Sequence, residues 1–108
     1  MKVSTTEQVP GHRVTESHGL VRGNTIRARH LGRDISAGLR ALVGGEISDY
    51  TKMMAEAREQ ALDRMVEEAR VLGANAIVGV RFSTSYVMQS AAEILVFGTA
   101  VTIEADHD

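Results

Sequence analysis

The sequence predicts an α+β fold, strands accompanied by one long and one short helix. Three stretches predict it. Residues 48–72 place apolar side chains at helical spacing and run through Gly73 straight into the apolar strand pattern of 74–82. Residues 1–29 are rich in Val, Thr and Ile in near alternation, and residues 91–104 read AAEILVFGTAVTIE, apolar on both faces.

Taken in order, Met1 to Val9 reads as a first strand, and Pro10-Gly11 supplies a turn because proline fixes φ while glycine accepts φ > 0. His12 to Arg29 is a bent strand or a short pair, with Gly19 and Gly23 as bulge or bend points. Asp34 is placed as an N-cap, and Ile35, Leu39, Leu42 and Val43 share one face of a short helix that Gly44-Gly45 ends. Ser48 and Asp49 then signal the start of the long helix. At 100° per residue Met54, Ala57, Ala61, Met65, Ala69 and Leu72 form its buried stripe, while Lys52, Glu56, Glu59, Asp63, Glu67 and Arg70 lie on the solvated side. Arg64 and Glu68 stand at i,i+4 spacing for an ion pair. Gly73 is the natural residue just past the helix end.

After that glycine the period of two sets Ala74, Ala76, Val78, Val80 and Phe82 on one face and Ile77, Gly79 and Arg81 on the other. Gln89-Ser90 reads as a hairpin tip. In the last strand Leu95, Phe97, Val101 and Ile103 occupy one face and Ile94, Val96 and Ala100 the other. A small domain with a single helix layer cannot cover both, so one of those faces is expected to meet a neighbouring subunit. No repeat, linker or low-complexity segment divides residues 1–108, which read as a single domain.

The composition narrows the function classes. With 108 residues and 11.7 kDa, folding is expected to bury roughly 65% of the unfolded chain's surface. A net charge of -2 offers no basic field for nucleic acid or an anionic membrane, so neither is expected as a partner. The absence of cysteine removes disulfides and thiolate ligands, and with no secretory apolar segment after Met1 the expectation is a cytoplasmic protein.

Several residues together resemble the YbjQ family. They are Ser4-Thr5-Thr6, Arg33-Asp34, Gly44-Gly45, Tyr50, Ala57-Arg58, Ala61, the run Leu72-Gly73-Ala74-Asn75-Ala76-Ile77-Val78-Gly79, and Gly98-Thr99-Ala100-Val101. The resemblance spans essentially the whole chain, and its two long signatures occur in the family's order. It implies a small two-layer α+β sandwich with an antiparallel sheet and a dodecin-like core, assembling as a homopentamer by joining sheets around a five-fold axis. The family carries a heavy-metal-binding label but has no established catalytic or ligand residues to transfer.

No catalytic constellation is visible. There is no Ser/His/Asp elbow and no glycine-rich nucleotide fingerprint after a strand. Gly44-Gly45-Glu46-Ile47-Ser48 enters a helix N-terminus, but no P-loop lysine follows, and Glu46 and Asp49 would repel a phosphate, so a joint between helices is the better reading. A metal site needs several converging donors, yet His12, His18, His30 and His107 are scattered. A ring site is a separate case: five copies of one modest ligand, such as His18 on a strand, could converge on an oligomer axis, although a partly exposed strand histidine without a metal is the favoured reading. Met54 and Met65 lie on the helix stripe and read as core filling rather than thioether ligands. Glu7, Glu16, Glu93 and Glu104 read as solvated edge charges.

Two functional readings remain. The first is a non-enzymatic, pentameric homo-oligomer that binds a small ligand or metal ion at subunit interfaces or on the axis, its cofactor unspecified. The alternative is an enzyme whose site is assembled between subunits from Arg33, Asp34, Tyr50 and Arg58, which combine charge and a hydroxyl suited to an anionic ligand. A structural network joining the two helices accounts for the same four residues.

Overall fold

The computed structural model describes residues 1–28, 47–88 and 91–107, with side chains over 1–27, 51–86 and 91–107. In chain order the elements are β1 (Lys2–Val3), β2 (His12–Ala28), α1 (Ile47–Val71), β3 (Ala76–Met88) and β4 (Ala91–Ala105). The expected short helix over 34–43, its glycine joint and the hairpin tip Gln89-Ser90 lie outside the described residues. The strands form one sheet in the order β1-β3-β4-β2. β4 is antiparallel to both neighbours, but β1 runs parallel to β3, so the sheet is mixed rather than purely antiparallel.

The first strand is far shorter than the alternation suggests. From Ser4 onward hydroxyl groups turn the chain, with the Thr6 amide donating to Ser4 Oγ at 3.1 Å and Thr6 Oγ1 donating to the Gln8 carbonyl at 2.5 Å. The turn then docks on β3 through Gly79 N to the Thr6 carbonyl at 2.9 Å. Local side-chain to backbone bonds here outcompete the extended ladder.

α1 buries Met54, Ala57, Ala61, Met65 and Ala69 as its period requires. The small side chains let it lie close on β2. At Gly23 the approach is so tight that a Cβ would stand 2.0 Å from the Ala61 carbonyl oxygen. The helix ends in a Schellman arrangement, Gly73 N to Arg70 O at 2.9 Å and Ala74 N to Ala69 O at 3.1 Å, with Gly73 at φ 84°. This wraps the chain so that Ala74 joins the core and Leu72, expected in the stripe, is left 44% exposed. Arg64 does not pair with Glu68 as its spacing suggests; its Nη1 donates to the Asn24 carbonyl of β2 at 2.6 Å.

In β3 a register shift between Val78 and Arg81, with Gly79 at φ 63°, interrupts the alternation. Ile77 and Val80 therefore both enter the core beneath α1, whereas Ala76 and Val78 join Val101, Ile103 and Val9 in a second cluster. Phe82, expected to be buried in line with Val78, is instead 45% exposed. β4 keeps its parity: Ile94, Val96 and Ala100 lie beneath α1, and Val101 and Ile103 pack against Val9. On that second face Leu95 and Phe97 are only half-buried, and Leu20 and Ile26 on the neighbouring strand are 65% and 59% exposed. The long strands stretch the molecule to 61 × 23 × 16 Å.

Candidate functional site

The signature residues hold the scaffold. The Asn75 side chain behaves like one more strand residue beside β4, its Nδ2 donating to the Ile103 carbonyl at 2.9 Å and its Oδ1 accepting from the Ile103 amide at 2.8 Å. Ser4, Thr6 and Gly79 latch the N-terminal turn, and Arg81 Nη1 donates to the Thr5 and Val80 carbonyls at 2.7 and 2.8 Å. The run Leu72 to Gly79 thus supplies a helix stop, a side-chain latch and a strand bulge.

Of the candidate site residues, His18 has the most defined surroundings. It is the extra residue of the bulge between Ser17 and Gly19, where Gly19 takes φ 96°. The bulge turns the imidazole inward, its side chain 14% exposed, with Nε2 2.8 Å from Thr102 Oγ1 and 4.0 Å from Glu16 Oε2. Glu16 is the carboxylate that approaches it, and among the described residues no group of three His, Cys, Asp or Glu side chains could hold a metal ion. Within one chain, the described donors do not fit a heavy metal. His12 is placed elsewhere, with Nδ1 3.1 Å from the Pro10 carbonyl oxygen.

Arg33 and Asp34 fall outside the described residues. Tyr50 is in the first turn of α1, its side chain likewise outside them, and Arg58 is exposed on the helix. The four are therefore not shown together. The carboxylates are dispersed: Glu104 pairs with Arg13 at 3.1 Å, and Glu93 accepts from Asn24 at 3.3 Å. Sequence reading did not anticipate a cleft of about 350 Å³ between the N-terminal turn and the end of β4. Its apolar wall is Val9, Val14 and Ile103, and Gln8, His12, Arg13 and Asp106 supply the polar groups. No local motif announces it, because it forms only when residue 106 returns to the start of β2, where its amide bonds the Gly11 carbonyl at 2.8 Å.

Residues 1–104 match the model of the YbjQ family, described as "Putative heavy-metal-binding". The chain belongs to the YbjQ family. A UPF0145 protein of Thermus thermophilus is 62% identical to this YbjQ chain over 102 residues, which are 94% of this chain and 90% of the other. A UPF0145 protein of Dehalococcoides mccartyi is 58% identical over 96% of this chain and all of its own length (100%). One of Methanosarcina acetivorans is 55% identical, over 95% of this chain and 97% of the other. Among solved structures, a protein of unknown function from Pediococcus pentosaceus superposes with a TM-score of 0.68 over 96% of this chain and 98% of its own, at 16% identity. That likeness speaks for the fold alone. No described helix of this YbjQ protein is long and apolar enough to cross a membrane.

Proposed function

We propose that this chain works as a non-enzymatic homo-oligomer, a ring of five, that binds a small ligand or a metal ion between subunits or on the ring axis. The observation that carries the reading is an apolar face left open by the described residues. Leu20 and Ile26 on β2 are 65% and 59% exposed, and Leu95 and Phe97 beside them on β4 are half-buried. Among the described residues nothing covers that face, and a contiguous apolar surface of this kind marks an interaction site.

Ligand chemistry follows from the same geometry. Because one chain's described donors do not converge, a metal ion would need equivalent side chains from several copies, His18 giving one imidazole per chain. For an organic anion the candidates are Arg33, Asp34, Tyr50 and Arg58. Light scattering tests the assembly: the expected mass is a multiple of five chains, and a monomer near 11.7 kDa overturns it. Native mass spectrometry of untreated protein tests the ligand. Bound mass in ring stoichiometry supports the site, and a bare oligomer after incubation with zinc, copper and nickel salts removes the metal arm.

A further inference from the structure

The two flanks of the sheet are protected very differently. On the β2 side Arg64 reaches from α1 to the Asn24 carbonyl, and Arg22 and Arg27 add charge along the strand. On the β3 side the N-terminal turn occupies the edge only as far as Val80, whose amide bonds the Ser4 carbonyl. Beyond it, every residue from Arg81 to Tyr86 is exposed. Among the described residues nothing pairs with Phe82 to Tyr86 on the side away from β4. From Phe82 to Met88 there is neither a charge nor a proline, the usual devices that keep an edge strand solitary.

This open edge is self-complementary. Phe82-Ser83-Thr84-Ser85-Tyr86 reads aromatic, Ser, Thr, Ser, aromatic in both directions. We propose that β3 pairs antiparallel with β3 of a second copy about a two-fold axis at Thr84. Phe82 then faces Tyr86 of the partner subunit, Ser83 faces the partner's Ser85, and Thr84 faces its own equivalent. Directly opposed residues are where cross-strand side chains interact most closely.

The face supports the pairing. Phe82, Thr84 and Tyr86 lie opposite Val96, Ile94 and Ala92 of β4, on the side of the sheet that carries α1. α1 lies over β2 and β4 and scarcely reaches β3. Phe82 and Tyr86 are consequently 45% and 75% exposed. In the joined sheet four aromatic rings fill the furrow between two helices. Bulges at Val78–Arg81 and Tyr86–Met88 limit the match to this short segment. The two-fold axis cannot itself close a ring of five; it joins two such rings into ten chains. The inference rests on the self-association proposed above, with the ring closed through the face bearing Leu20 and Ile26 and this edge left for the contact between rings.

Because the chain has no cysteine, engineered thiols report the pairing without background. Thr84→Cys is expected to form an inter-chain disulfide on oxidation. Ser83→Cys and Ser85→Cys should each stay reduced alone and cross-link when mixed, since directly opposed strand residues lie within disulfide range. Wild-type particles should contain ten chains. Particles of five chains, or oligomers in which neither the Thr84→Cys protein nor the mixture cross-links, overturn this inference and leave the ring standing. Cross-linking of Asn24→Cys to Ser83→Cys also overturns it, because β2 is then the partner. A monomeric wild type overturns both. The mixture keeps the test decisive where Thr84→Cys fails to fold, as judged by circular dichroism.

Discussion

At the residue scale the most consequential side chains are the smallest and the most local. Asn75 makes two hydrogen bonds to one backbone residue of β4 and closes the ladder where β3 has not yet begun. Asn75→Ala leaves the Ile103 amide and carbonyl without these partners and should lower stability by about 1–3 kcal/mol, read from the urea midpoint. Asn75→Asp keeps the acceptor for the Ile103 amide but sets a carboxylate oxygen against the Ile103 carbonyl, and should cost at least as much at neutral pH. Gly23 was legible as an exceptional position but not for its true reason. A strand glycine suggests a bend, and only the assembled layers reveal that a helix carbonyl occupies the space of its side chain. Gly23→Ala is therefore expected to cost about 3 kcal/mol or more, since overpacking must move α1 off the sheet. By contrast, Gly19 carries the bulge that its sequence setting suggested. His18 was legible as a strand histidine, but its inward turn towards Thr102 depends on a ladder partner 84 positions away.

At the element scale α1 was the most legible feature, because a 3.6-residue period sustained over 25 residues tolerates small errors at either end. Its stop was legible too, since only the backbone of Gly73 adopts φ 84° without a steric penalty. Gly73→Ala should cost roughly 1–2 kcal/mol, measurable as a lower thermal midpoint with the helical signal retained. Strand parity is more brittle: one inserted residue reverses every face beyond it. Gly79 does this in β3, moving Val80 into the core and Phe82 to a half-exposed position. Since Gly79 stands at φ 63°, Gly79→Val should destabilise by at least about 1–2 kcal/mol. The length of β1 was illegible for a related reason, because Ser4 and Thr6 look like strand residues until their hydroxyl groups bond the backbone.

For the whole molecule, the two-sided character of β4 was legible from its residues alone, and it raised the expectation, taken up in the proposed ring, that one face meets a neighbouring copy. Leu20→Lys with Ile26→Lys tests that surface. Both positions are more than half exposed, so the isolated fold should change by under about 1 kcal/mol, while light scattering should show smaller particles. The candidate ligand site was hardly legible, because no spacing along the chain encodes which copies meet or what approaches their junction. The ladder between β2 and β4 carries a consequence for how the protein is made. Arg13 and Glu104, one of its paired positions, are 91 residues apart in the chain. A ribosome adding about 5–20 residues per second needs roughly 5–20 s to cross that interval. Until then β2 has left the tunnel without its only described sheet partner, and α1 has no complete surface to lie on. The sheet can therefore close on β2 only after the whole 91-residue interval has been translated.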